Sequence, residues 1–179
     1  MRRKILNPKI WVIFAGVVLA SSVLMWWMSR PHKAERAVRE VAKIAETVHR
    51  MYADKASYWH LDTSSFIAAQ KSAYRTKDGH LLNALGKDVL IGSGENGETV
   101  MPGEKSFDVV FDNLNTGECV NAAAYQFGRQ EMLNLLQIEI IGKERQIFAW
   151  GNAEYELPIA RFAAKRFCSD GSKIVWTFE

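Results

Sequence analysis

Residues 7–58 read NPKIWVIFAGVVLASSVLMWWMSRPHKAERAVREVAKIAETVHRMYADKASY, from Asn7 to Tyr58. An uncharged apolar run, Ile10 to Met28, passes almost directly into a charged segment, with only Pro31 between them. At ~1.5 Å of rise per residue the run is long enough to cross a bilayer as a helix. Trp11 stands at one end and Trp26-Trp27 at the other, where amphipathic rings favour the headgroup zone. Arg2, Arg3, Lys4 and Lys9 all precede the run, so the positive-inside rule puts the N-terminus in the cytoplasm and the rest of the chain outside. The competing reading is a cleaved signal peptide, with small residues at Ala20-Ser21-Ser22. Apolar residues continue through Val23 to Met28, past where a signal peptide would stop, so an uncleaved anchor is expected. Ala15, Gly16, Ala20 and Ser21 are the candidate packing residues of this segment. Small side chains let helix backbones approach closely in lipid, and Gly16 with Ala20 makes a small-xxx-small pair.

The segment after Pro31 has the period of an amphipathic helix. Ala34, Val38, Val41, Ala45, Val48 and Tyr52 recur at steps of three and four, and Ala37, Val41, Ile44, Val48 and Met51 form a parallel stripe. Glu35, Arg36, Arg39, Glu40, Lys43, Glu46 and Arg50 fill the other faces, with Glu35–Arg39 and Glu46–Arg50 in the favourable i,i+4 order. Val38, Val41, Ala45, Val48 and Tyr52 are the candidate helix-packing residues. Their stripe is expected chiefly to pack on the chain's own domain, because most helix stability comes from such a face. A stripe that also packs on copies of the chain is the alternative.

The charge of the whole chain misleads. Its net +3 and pI of 8.9 reflect the basic flank, which holds 4 of the 23 basic residues and none of the 20 acids. The remainder is close to neutral, so no nucleic-acid partner is indicated. With 179 residues the chain has room for the membrane segment and one modest domain.

In the remaining sequence, Asp62-Thr63 is expected to cap a short helix reaching about Ala73. Residues 76–106 are rich in Gly, Asp, Asn, Lys and Ser and read as loop with short strands. SFDVVFDNL is a strand, in which alternation sets Phe107, Val109 and Phe111 against Asp108, Val110 and Asp112 and places the two aspartates on a solvated face. Cys119 to about Gln130 is Ala-rich and expected to be helical. LLQIEII and RQIFAW flank Gly142-Lys143-Glu144 as a hairpin. Pro158 is expected to open a helix to about Phe167. SKIVWTF closes the chain as a strand with Ile174, Trp176 and Phe178 on one face. Tyr58-Trp59-His60 is expected to lie mainly in the core. The order of elements, a long helix and then a helix-decorated antiparallel sheet, is α+β.

Cys119 and Cys168 are the two cysteines. With the chain outside the cytoplasm they face an oxidising compartment, where a structural disulfide is the simplest state and free thiols the alternative. They make a poor metal site, because no His or acid stands at short ligand spacing from either. His32, His49, His60 and His80 are scattered, with no H-x-x-x-H pair. There is no G-x-S-x-G elbow or Walker loop, and GSGENGETV lacks the Lys-Ser/Thr of a phosphate cradle. No catalytic residue, metal ligand or cofactor is therefore assigned, and the chain is not expected to be an enzyme.

The set as a whole carries a resemblance. A basic leader, an apolar helix flowing into an amphipathic one, an antiparallel sheet and a late cysteine pair resemble a type IV pilin. In detail the chain is similar to the type IVb group, which includes the toxin-coregulated, bundle-forming and conjugative thin-pilus subunits. In DGHLLNALGKDVLIGSG, Gly79, Asn83, Gly86 and Val89 look like the glycine-rich segment before the sheet of that group. FDVVFDNLNTGECV is similar to its strand, short loop and first cysteine, and FCSDGSKIVWTFE to its closing segment. The resemblance implies a lollipop-shaped subunit whose N-terminal helices bundle in a fibre core while a disulfide-closed domain faces outward. Two family features are missing. No glycine stands just before the apolar run, and no acid occurs before Glu35. A cut after Gly16 would leave Val17 to Met28, too short to span. The N-terminus is accordingly expected to remain intact.

The expected organisation is a cytoplasmic basic flank at 1–9, a transmembrane helix at 10–28, an amphipathic helix at 29–55 and a periplasmic pilin-like domain at 56–179. The expected function is that of a structural or assembly component, pilin-like or minor pilin, of a type IV pilus or related secretion or conjugation machine. Its partners would be the bacterial inner membrane, subunits of that machine and further copies of itself, with a place at the cell surface if it is assembled into a fibre. The alternative is a membrane-tethered periplasmic module that binds a ligand or partner through the 76–106 loop.

Overall fold

The computed structural model describes Ser21 and residues 33–70, 74–93, 106–127 and 134–179. Helix α1 covers 33–52. Its buried positions are Ala34, Ala37, Val38, Val41, Ile44, Ala45, Thr47, Val48 and Tyr52, the three-and-four spacing of one helix face. The helix gives way to turn after Tyr52, short of the expected Lys55.

Helix α2, Thr63–Ala69, follows a short loop. Asp62 caps it by accepting the Ser65 amide at 2.6 Å. Gln70 is its C-cap, so the helix stops before the expected Ala73. The stretch read as loop with short strands then supplies three, β1 (Thr76–Lys77), β2 (His80–Leu82) and β3 (Asp88–Gly92). Strand β4, Phe107–Leu114, leads to α3, Thr116–Ala123. Strands β5, Leu135–Ile141, and β6, Arg145–Ala149, form a hairpin. Helix α4, Arg161–Phe167, and strand β7, Ser172–Phe178, complete the chain.

The seven strands make one sheet in the order β1-β2-β3-β4-β7-β5-β6, and every pair of neighbours is antiparallel. The last strand therefore lies in the middle, between β4 and β5. The register sets Phe107 opposite Phe178, Val109 opposite Trp176 and Phe111 opposite Ile174. Residues directly opposite share a face, and these six, with Val89, Ile91, Ile138, Ile140 and Phe148, form one core with the α1 stripe. Phe107 stacks on Phe178 at 5.5 Å, and Trp176 meets Phe111 edge to face at 4.9 Å.

Four sequence expectations are corrected. Asp108 is buried, not solvated, because the middle of the sheet is covered on both faces: Val110, Glu139, Val175 and Thr177 are buried with it. Asp112 does lie nearer solvent, with Lys173 Nζ at 3.9 Å. Helix α3 starts before Cys119, because Asn115 and Glu118 form a capping box at its start, and it ends at Ala123. Pro158 does not open α4. The Leu157–Pro158 bond is cis, Leu157 and Ile159 on either side of the proline are buried, and Ala160 is extended at φ −68°, ψ 141°. Finally, Tyr58 is half-buried but Trp59 is 54% exposed.

Candidate functional site

For a chain with this outline the surfaces of interest are the two sides of α1 and the corner closed by the cysteines. The inner side of α1 is fully engaged: Val38, Val41 and Val48 are at 0% exposure, with Ala45 and Tyr52 nearly as covered. Its outer side, with Lys33, Arg36, Arg39, Lys43, Glu46 and Arg50 exposed, is charged and mostly basic. Arg39 reaches across to donate to the Tyr125 hydroxyl at 3.2 Å, tying α1 to the end of α3.

One acid on α1 departs from the solvated face expected for it. Glu40 is half-buried, and its Oε2 accepts the Ala84 amide at 2.8 Å. Burial raises its pKa, while the Ala84 amide and the charges of Arg75, Lys43 and Arg36 pull the other way. Ala84 belongs to a turn built by Asn83, whose buried Oδ1 accepts the Leu85 and Lys87 amides. Gly86 takes φ +74° in that turn, a conformation that L side chains rarely adopt. Glu40 thus pins the glycine-rich segment to the helix.

At the far end of α1, His49 Nδ1 lies 3.0 Å from the Tyr58 hydroxyl, and its ring meets Phe107 edge to face. Its Nε2 is buried and makes no hydrogen bond, and burial lowers the pKa of the imidazole. The other described histidines are scattered. His60 is exposed at positive φ, and His80 lies 3.7 Å from Asp88. Among the described residues no cluster could hold a metal ion.

The third part is the cysteine corner. Cys119 on α3 and Cys168 at the end of α4 are bonded, with Cα atoms 5.8 Å apart. Asp170 lies just past Cys168 and accepts both the amide and the hydroxyl of Thr116 at 2.8 Å, so the turn into β7 helps to hold the start of α3. Those bonds keep the Asp170 carboxyl below its usual range. The β5–β6 hairpin joins the same corner: Lys143 donates its amide to Phe167 O at 2.9 Å, and a Cβ at Gly142 would meet that oxygen at 2.3 Å.

The sequence model of the family described as Bundlin matches residues 28–173. The chain belongs to the bundlin family. By family and by fold it is a type IVb pilin-like structural subunit. The crystal structure of TcpA, a type IV pilin from Vibrio cholerae El Tor biotype, is similar to it with a TM-score of 0.57. The two are 10% identical, over 83% of this chain and 99% of that one. A type IVb pilin from Salmonella typhi superposes with a TM-score of 0.49 at 12% identity, over 81% of this chain and 96% of that one. No curated protein matches this bundlin-family chain in sequence.

In the bundlin-family chain, Val38, Val41, Ala45, Val48 and Tyr52 come together on one face and are consumed inside the domain. Ala15, Gly16 and Ala20 lie outside the described residues, and Ser21 is helical and exposed. Among the described residues no helix is long and apolar enough to cross a membrane. Sequence reasoning missed the Glu40–Ala84 clamp, since nothing local marks a helix acid as the partner of a turn 44 residues away. It also missed the exposed aromatic Phe162, which was read only as part of a helix.

Proposed function

We propose that the chain acts as a structural or assembly subunit of a type IV pilus or a related secretion or conjugation machine. Residues 10–28 hold it in the inner membrane, residues 1–9 lie in the cytoplasm, and the domain from 56 onward projects into the periplasm on the helix of 29–55. Membership of the bundlin family supports the class. The observation that carries the rest is the state of α1. Its apolar stripe is covered by its own sheet and its outer side is charged, so the apolar surface that the N-terminal helical stretch offers a neighbour is Ile10 to Met28. In that segment Ala15, Gly16, Ala20 and Ser21 permit close approach of a second helix. No catalytic chemistry, cofactor or nucleic acid enters this function.

Gly16→Leu and Ala20→Leu test the reading. Both keep the segment apolar enough to insert, but they block backbone approach. Copies carrying two different tags should co-purify from native membranes in the original sequence and separate in either variant, with the 119–168 disulfide retained. Undiminished co-purification of both variants would reduce the segment to an anchor and favour the tethered binding module instead.

A further inference from the structure

Along the outer side of α1 the exposed residues are Lys33, Arg36, Arg39, Lys43, Glu46 and Arg50, five bases and one acid. Steps of three and four put them on one line, opposite the buried stripe. At ~1.5 Å of rise per residue that line runs for about 25 Å. Two further acids lie close by. Glu40 is committed to the Ala84 amide, and Glu35 stands 4.0 Å from Arg39. Exposed Arg75 adds a base on the flank, next to Tyr74, whose hydroxyl lies 3.0 Å from Thr47 Oγ1 on α1. The excess is positive, in a chain that is close to neutral after residue 28. Like charges at three- and four-residue spacing weaken a helix unless an opposite charge faces them.

Position says what that opposite charge is. The apolar run ends at Met28, five residues before Lys33, and five residues reach at most about 18 Å. The bases are densest at that end, with Lys33, Arg36 and Arg39 in the first two turns and Glu46 in the far half. The sheet covers the apolar stripe of α1, so the domain sits on one side of the helix and leaves the basic side open. We infer that the outer side of α1 rests on the anionic phospholipid headgroups of the membrane that holds residues 10–28, with the helix along the surface and the domain above it. The apolar stripe is spent inside the domain, so the attachment is electrostatic and salt weakens it. Each Lys or Arg at such a surface favours attachment by about fivefold. The inference rests on the subunit reading for its membrane segment, and adds the lie of the next helix and the class of lipid it meets.

The test uses the full-length chain reconstituted in vesicles. Glu46→Cys supplies the one free thiol for a fluorophore, since Cys119 and Cys168 are bonded to each other. A nitroxide on the lipid headgroup reports contact by quenching. In vesicles of one part phosphatidylglycerol to two parts phosphatidylethanolamine, the probe should be quenched at least about threefold more than in phosphatidylcholine alone, and about 0.5 M salt should remove the difference. Lys33→Gln, Arg36→Gln, Lys43→Gln and Arg50→Gln together should remove it as well, with Arg39 left in place because it holds Tyr125. Exchanging Lys for Arg and Arg for Lys at the same four positions should preserve it, because the surface reads charge. Retention of the 119–168 disulfide in both variants would show that the domain is folded. Flotation with the phosphatidylcholine vesicles checks the membrane segment separately: a chain that does not float there has no anchor, and the subunit reading falls together with the inference. In a chain that floats, equal quenching on the two lipids, quenching that survives the four glutamines, or release of the probe by equimolar duplex DNA would overturn the inference alone.

Discussion

Asp108 sits in the middle of the sheet with one carboxylate oxygen bonded and the other bare. Oδ1 accepts from Thr177 Oγ1 at 2.7 Å, while Oδ2 is buried and makes no hydrogen bond. Burial is the main cause of its raised pKa, about 6 against the usual 3.8, and the nearby Glu139 charge adds to it. A raised folded pKa means that the folded chain holds this proton more tightly than the unfolded chain does. The stabilisation is therefore full below about pH 4, falls as pH rises toward 6 and is absent above. Asp108→Asn keeps the shape and removes the charge. It should stabilise the domain on the order of 2 kcal/mol at pH 7 and flatten the slope between pH 4 and 6, measured by denaturant unfolding at each pH. Unchanged stability at pH 7 would mean that the charge is relieved by a partner. His49 acts in the opposite sense. Its folded pKa is lowered by burial, so its stabilisation is full above the ordinary value of 6.5 and declines as pH falls below that.

Among the elements, the hairpin joining β5 to β6 shows how tightly one turn can depend on another. Gly142 lies against the last carbonyl of α4, and a Cβ there would come within 2.3 Å of Phe167 O, a backbone atom that cannot swing aside. Gly142→Ala should cost more than about 2 kcal/mol by forcing hairpin and helix apart, while Gly117→Ala, whose nearest contact is 3.5 Å, should change stability little. Equal losses by thermal unfolding would contradict the geometry. The hairpin was legible in LLQIEII and RQIFAW because two apolar runs flank the turn residues Gly142-Lys143-Glu144. The burial of Asp108 was not legible, because alternation presumes one wet face. The contiguous Ile174-Val175-Trp176 and Val109-Val110 were the available sign of strands covered on both sides. The start of α3 was also written in the sequence, as Asn115-x-x-Glu118, but alanine content drew the helix toward its C-terminal half. The cis bond at Pro158 left no local mark that separates it from a helix-opening proline.

At the level of the whole molecule, the disulfide joins residues 49 apart in sequence and closes a loop that contains the end of α3, β5, β6 and α4. Cys119→Ser and Cys168→Ser should each cost up to about 4 kcal/mol in the chain-entropy model, and the double variant no more than either single. Additive losses would mean that the two thiols contribute separately. The pairing was expected from the oxidising compartment that residues 1–28 imply for a chain with two cysteines, and the α1 stripe from its own period. The exposure of Phe162 and the Glu40 clamp depend on surfaces that only the assembled sheet creates, so neither could be read along the chain. Val41 and Val48 belong to both apolar stripes of α1 and face the sheet. Val48→Ala should destabilise the domain by ~2 kcal/mol in chemical denaturation yet leave co-purification of tagged copies unchanged, since the proposed neighbour contact lies elsewhere. The proposed meeting place of neighbouring copies is the membrane segment, and photocrosslinking in intact cells reads that most directly. With a photoreactive side chain at position 16 or 20, the expected products are multimers of the chain linked through those positions. Monomers alone, or links only to lipid, would contradict it.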